Sequence, residues 1–189
     1  MRLFVSVDLP DRLADDVAAL QAEFADAEGL DFVDSTQTHV TMKFLGEVED
    51  AREDELAAAL EHAVDESGVE PFDAELGGLG VFPSLDYISV VWLGVGDGSA
   101  ELAQLHEAIE TEFVEEHGFE AEEHDFTPHV TLARMKHAGG KELVQDLVRD
   151  RHPEVGTMRV AEVRLTESVL THEGPEYETV HAVDLSRRR

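Results

Sequence analysis

Two short phrases carry the residues best suited to chemistry. Thr38-His39-Val40-Thr41-Met42 and Pro128-His129-Val130-Thr131-Leu132 each set a histidine two residues ahead of a threonine, and the two histidines lie ninety residues apart. Polar and apolar residues alternate in both phrases, as in a strand with one buried face. Side chains at i and i+2 of a strand share a face. His39 with Thr41, and His129 with Thr131, therefore look one way, while Val40, Met42, Val130 and Leu132 look into a core. If the phrases pack about a pseudo-twofold axis, two His-x-Thr pairs face one cleft. That set suits phosphoryl transfer without a metal. An imidazole titrates at about pH 6.5, so one can accept a proton while the other donates one. The threonine hydroxyls can donate to non-bridging phosphate oxygens. Lys43 and Arg134, four and five residues after their histidines, can neutralise the phosphate charge. Strict alternation puts Lys43 on the His39 face and Arg134 opposite His129. Arg134 then turns inward only at a bulge or at the strand's end.

The elements that must position these groups are legible around them. Arg2–Asp8 alternates as a strand, and Leu13, Val17, Leu20 and Phe24 form a helical stripe after it. His39–Leu45 is a second strand. Asp50 with Glu53 has capping-box spacing ahead of a helix with stripe Leu56, Leu60 and Val64, closed by Gly68. A strand at Phe72–Leu79 follows. The pattern then repeats: strand Tyr87–Leu93, a helix capped by Ser99 with stripe Leu102, Leu105, Ile109 and Phe113, strand His129–Arg134, and a short helix Lys141–Arg149. Thr157–Leu170 reads as extended, with a last strand at 179–185 and a frayed tail at Arg187–Arg189. The chain reads as one bilobal domain, 1–189, with pseudo-repeats at about 1–80 and 86–171 and a boundary near Gly80–Asp86. Periodicity alone suggests parallel βαβ units.

The composition narrows the class. The 189 residues contain no cysteine, which excludes disulfides, thiolate metal sites and a cysteine nucleophile. The opening MRLFVSVDLP lacks the continuous apolar stretch of a secretory signal, and no run approaches the ~20 residues of a membrane span. A cytoplasmic protein is expected. Lys plus Arg is 14 against 43 Asp plus Glu, a formal net charge of −29, and the only lysines are Lys43, Lys136 and Lys141. With 42% hydrophobic residues in clear periodic order, disorder does not explain this excess. A surface made for high salt does. The same charge argues against a broad basic face for long nucleic acid, but not against one phosphate in a local pocket.

On these residues the sequence resembles the 2H phosphoesterase superfamily, which is defined by two His-x-Thr-x motifs, and most of all its RNA 2′,3′-cyclic phosphodiesterase (2′-5′ RNA ligase-like) branch. Arg2-Leu3-Phe4 through Asp8-Leu9-Pro10 is similar to the family's opening strand. His39 through Phe44-Leu45-Gly46-Glu47 is similar to its first motif, Val90-Val91-Trp92-Leu93-Gly94 to its central strand, and Pro128-His129-Val130-Thr131-Leu132-Ala133-Arg134 to its second motif. The resemblance implies a bilobal α+β fold with two antiparallel sheets, outer helices and a central cleft. It implies that His39 is the general acid, His129 the general base, and Thr41 and Thr131 phosphate binders, with no metal and no cofactor. The implied substrate is an RNA end bearing a 2′,3′-cyclic phosphate, tRNA fragments among the possibilities, opened to a 2′-phosphate. Reversible 2′-5′ joining would use the same groups, and a monomer is expected. The alternatives are a non-catalytic nucleotide-binding module and a phosphodiesterase for small cyclic nucleotides. Having both histidines favours an enzyme.

Other features have plainer readings. Eight further histidines show no H-x-x-x-H pair; His106-Glu107 opens H-E-x-x-E, which is not the zinc spacing. Gly94-Val95-Gly96-Asp97-Gly98 lies between a strand and a helix, but Ser99 breaks the G-x-G-x-x-G spacing and the segment reads as a turn. Phe4 and Phe44 could stack on a nucleobase, with core packing expected for at least one. The charge yields a direct test. The Debye length is ~30 Å at 0.01 M salt and ~3 Å at 1 M, so self-repulsion is screened only in concentrated salt. The thermal midpoint should climb steeply from dilute to molar KCl; a midpoint indifferent to KCl contradicts the halophile expectation.

Overall fold

The computed structural model describes residues 1–185, so Arg187–Arg189, expected as a frayed tail, lie outside it. The described residues form an α+β fold of nine strands and four α-helices. They are β1 (Arg2–Asp8), α1 (Ala14–Ala22), β2 (Leu30–Phe32), β3 (His39–Glu47), α2 (Glu53–Ser67), β4 (Phe72–Pro83), β5 (Ile88–Val95), α3 (Ser99–Thr111), β6 (His129–Met135), α4 (Lys141–Asp150), β7 (Glu154–Val160), β8 (Glu162–Thr171) and β9 (Gly174–Asp184). The apolar stripes do what their spacing predicts. Leu56, Leu60 and Val64 of α2, and Leu102, Leu105 and Ile109 of α3, are all buried. Gly68 ends α2 in the left-handed region at φ 69°, where a side chain is disfavoured. The two expected helix-start caps are not made. Asp50 sits in a 3-10 turn ahead of α2 and pairs with the Met1 ammonium, and Gly98, not Ser99, precedes α3.

Every strand pairing among the described residues is antiparallel, as the family resemblance implies and against the parallel units that periodicity alone suggests. Alternation fixes which face is buried but carries no information on strand direction. The sheet order is β7-β4-β5-β6-β3-β1-β8-β9, with β2 paired to the far end of β6. It is two four-stranded halves, β3-β1-β8-β9 and β6-β5-β4-β7, joined through one bridge, Val40 to Val130. The halves are interleaved in sequence. β4 belongs with β5, and β8 returns to β1, so the strands do not sort at 1–80 and 86–171. Gly80–Asp86 lies in and after β4, at the β4–β5 hairpin.

The helices cross-brace the halves. α1 follows β1 but packs on β6, and α3 follows β5 but packs on β3. Both motif strands also carry a bulge at the same place. Val5 and Ser6 face Lys43 and Thr41, leaving Met42 as the extra residue, and Val91 and Trp92 face Ala133 and Thr131, leaving Leu132. Past each bulge, alternation is inverted. Met42 and Lys43 are both buried and Phe44 is exposed; Leu132 and Ala133 are both buried and Arg134 is exposed.

Lys43 is therefore corrected as a cleft residue. It is 2% exposed, on the helix side of β3. Its ammonium donates to Glu110 Oε2 of α3 and to the Glu120 carbonyl, both at 2.9 Å. Burial works against a charge on Glu110, but the Lys43 hydrogen bond and the Glu122 N–H hold its carboxyl below the usual range. The pair ties β3 to the segment that leads into β6. Lys43→Met leaves a partly buried carboxylate unpaired and should cost about 3 kcal/mol. Adding Glu110→Gln should recover much of that, read by denaturant melts, while turnover per folded molecule stays within a few-fold of the parent. A loss of turnover beyond a hundred-fold in folded Lys43→Met would return Lys43 to the cleft.

Candidate active site

Val40 and Val130 are both 0% exposed and pair directly across β3 and β6. Alternation then turns their neighbours, His39, Thr41, His129 and Thr131, to the opposite face, where all four are half-buried. Counting outward from the pair, antiparallel register sets the position of Thr131 across from His39 and that of His129 across from Thr41. One buried bridge thus brings both sequence motifs to one surface.

The two imidazoles are built alike. His39 Nδ1 lies 3.0 Å from the Gln37 carbonyl, and His129 Nδ1 lies 2.7 Å from the Thr127 carbonyl. A carbonyl only accepts, so each Nδ1 carries its hydrogen and each Nε2 is left for proton transfer. Aromatic rings wall both. Phe4 and Tyr177 lie 4.9 and 5.0 Å from the His39 ring, and Phe82 and Trp92 lie 4.9 and 5.9 Å from the His129 ring. The Trp92 indole lies across Gly80, where a Cβ would come within 2.1 Å of it. Burial is the largest influence on both imidazoles and pushes each below its ordinary value. Arg134 pushes both the same way, so its guanidinium acts on both histidines. The bulge at Leu132 is what turns it to this face.

The two imidazoles differ in what stands opposite them on the next strand. The residue paired with His39 on the next strand is Asp8, whose carboxylate favours the His39 imidazolium. The residue paired with His129 is Gly94. A Cβ at Gly94 would lie 2.9 Å from the Gly77 carbonyl and 3.3 Å from Trp92, so this position has no room for a side chain. Asp8 is held by Ser6 Oγ and by Arg164, both at 3.0 Å.

The structure thus brings together His39, His129, Thr41, Thr131 and Arg134, and sends Lys43 away. Phe4 is 4% exposed and packs behind His39, whereas Phe44, at the bulge-equivalent of Arg134, is 63% exposed. Sequence reasoning missed Asp8, Phe82, Trp92 and Tyr177 as neighbours of the imidazoles. Asp8 closes an alternating strand on its polar face and could have been noticed; Tyr177 comes from β9 and has no local signal. His106, the opening of H-E-x-x-E, donates to the Met42 carbonyl at 2.8 Å and stacks on Phe126.

Comparison with known proteins agrees with this geometry. A family model described as the 2′-5′ RNA ligase superfamily matches residues 9–170. An RNA 2′,3′-cyclic phosphodiesterase of Methanothermobacter thermautotrophicus is 36% identical over 94% of this chain and 95% of its own, and one of Aeropyrum pernix is 38% identical over 80% and 84%. Among solved structures, the protein TT0787 of Thermus thermophilus superposes with a TM-score of 0.80 at 27% identity, covering 98% of each chain. E. coli LigT, solved with 3′-AMP, has the same fold at a TM-score of 0.78 and 24% identity, again over 98% of each chain. With its two His-x-Thr motifs on one face of an antiparallel sheet and these relatives along nearly its whole length, the chain belongs to the 2′-5′ RNA ligase superfamily of 2H phosphoesterases.

Proposed function

We propose that the chain is an RNA 2′,3′-cyclic phosphodiesterase that opens the cyclic phosphate at an RNA end to a 2′-phosphate, with no metal. The observation that carries this reading is the pair of like-built imidazoles, each with Nδ1 on a carbonyl and Nε2 free, on one face of strands bridged at Val40 and Val130. His129 Nε2 takes a proton from water as the water oxygen bonds to phosphorus. The bond from phosphorus to O3′ breaks, and His39 Nε2 gives its proton to O3′. Thr41, Thr131 and Arg134 hold the non-bridging oxygens. With an RNA 5′-hydroxyl in place of water, the same exchange joins ends through a 2′-5′ bond.

The unequal neighbours support the division of labour. An acid must start protonated, and Asp8 favours that state at His39. A base must start neutral, and Gly94 leaves His129 without such a counter-charge while Arg134 favours the neutral form. Exposed Phe44 is suited to stack on the terminal base. The acidic composition supports a cell with high internal salt, and the proposal is completed by a monomer in the cytoplasm acting on RNA ends such as tRNA fragments. A net charge of −29 resists long RNA and leaves recognition to the local site.

The test is turnover of an oligonucleotide with a 2′,3′-cyclic phosphate end and identification of the phosphate position in the product. His39→Ala and His129→Ala should each lose about 10²–10⁴-fold while remaining folded. EDTA should leave the parent rate unchanged. Near-parental turnover in either variant, or loss on chelation restored by a divalent ion, contradicts the reading.

The pH dependence follows from the shifted imidazoles. Both titrate below 6.5, and the working state holds one proton on the pair. As pH rises past that range the proton is lost; at lower pH a second proton reaches the base. The kcat/KM profile should therefore be bell-shaped with its maximum below pH 6.5, its limbs belonging to the coupled pair. Because folding lowers both values, the unfolded chain binds more protons, and these two groups withdraw stability as pH falls below 6.5. A kcat/KM maximum above about pH 7.5 contradicts the arrangement.

A further inference from the structure

The bulges decide which residue after each motif reaches the cleft, and each bulge leaves a carbonyl outside the regular ladder. In a bulge two residues oppose one, and the extra residue is unpaired. Here the extra residues are buried, Met42 at 1% and Leu132 at 0% exposure, and an unsatisfied buried carbonyl is costly. Both carbonyls are met by a helix side chain. His106 of α3 donates from Nδ1 to the Met42 oxygen at 2.8 Å. Gln21 of α1 donates from Nε2 to the Leu132 oxygen at 3.0 Å, beside the Val33 N–H at 3.1 Å.

We propose that Gln21 and His106 are positioning residues that hold the two bulges open and thereby place Arg134 and Phe44, rather than Ala133 and Lys43, in the cleft. The bracing is crossed. Gln21 follows the opening strand of one half and grips the motif strand of the other, and His106 does the reverse. The donors are chemically different, an amide and an imidazole, yet each aims an N–H at the carbonyl of the same motif position. Each also reaches a second segment. The Gln21 amide donates to the Val33 carbonyl at 2.9 Å, fixing the chain just past β2. The His106 ring lies flat on Phe126, 4.1 Å between centroids and 5° between planes, three residues ahead of His129. Loss of Gln21 leaves the Leu132 carbonyl with the Val33 N–H alone, and loss of His106 takes the side-chain donor from the Met42 carbonyl, so each bulge loses support against regular pairing. Strict alternation then carries Arg134 to the helix side of β6.

This inference rests on the reading of Arg134 as a phosphate ligand, and the test separates the two. Gln21→Met keeps length and bulk but donates nothing, and Leu132 retains its Val33 bond. Kinetics on the cyclic-phosphate oligonucleotide are measured for Gln21→Met, Arg134→Ala and the double variant, per folded molecule by circular dichroism. Arg134→Ala should raise KM about ten- to hundred-fold, and Gln21→Met should reproduce much of that rise with kcat less affected. The double variant should be no worse than Arg134→Ala alone, since a residue acting through another adds nothing once the other is gone. A silent Gln21→Met, or a further full loss in the double variant, overturns positioning while leaving the Arg134 reading intact. An Arg134→Ala chain with parental KM defeats the Arg134 reading itself, and the kinetic part of the inference with it. A crystal structure of Gln21→Met decides the geometric part without turnover: Arg134 on the helix side of β6 supports it, and an intact bulge overturns it. If Gln21→Met does not fold, His106→Phe, which keeps the ring on Phe126 but lacks the donor, is taken through the same cycle with Phe44→Ala. Failure of both to fold makes the donors structural and overturns the proposal.

Discussion

A single pair of buried valines governs the site. Val40 and Val130 make the one bridge between the two halves of the sheet among the described residues, and everything proposed for proton transfer lies one residue to either side. Strand side chains alternate, so a slip of one residue in either strand would bury one histidine and threonine and expose a valine in their place. One bridge is little to hold such a register. The helices supply the rest, because α1 and α3 each reach across to the motif strand of the opposite half. The Lys43–Glu110 pair adds a charged tie on the same side, between β3, α3 and the approach to β6.

On this nearly symmetric frame the surroundings of the two histidines are asymmetric, as the proposed acid–base exchange requires. Both histidines have the same tautomer-setting bond and an aromatic wall that lowers their basicity. They differ in what stands opposite on the next strand. Asp8 has room beside His39 because β1 lies next to β8, whose Arg164 meets the carboxylate. Gly94 packs against β4 backbone, and no side chain fits. The proposed difference in role thus rests on packing as much as on charge. Against a net charge of −29 a local cation is the more telling, and Arg134 acts on both imidazoles.

Much of this was legible in the sequence, and the parts that were not share a cause. The His-x-Thr pairs, the helical stripes and most strand positions follow from local periodicity, which depends only on neighbours along the chain. Strand direction and partners depend on distant segments, so the interleaving of β4 and β8 between the halves was invisible. The bulges were invisible for the same reason. Alternation placed Lys43 with His39 and Arg134 away from His129, and one extra residue in each strand reverses both assignments. Tyr177 stands 138 positions from the His39 it flanks, and nothing near it in the chain announces that contact.

The central claim is that His39 gives a proton to the departing oxygen and His129 takes one from water. A leaving group that departs without protonation separates the two. On the cyclic phosphate the departing ribose oxygen is a poor leaving group and needs an acid, whereas a nitrophenolate does not; water must be activated in both cases. Rates of His39→Ala and His129→Ala on a nitrophenyl phosphodiester accepted by the site, each relative to the parent, are therefore the most direct measurement. Partial rescue of His39→Ala with none for His129→Ala is the expected result. Rescue of His129→Ala alone would reverse the roles, and equal impairment of both on both substrates would contradict proton transfer by either.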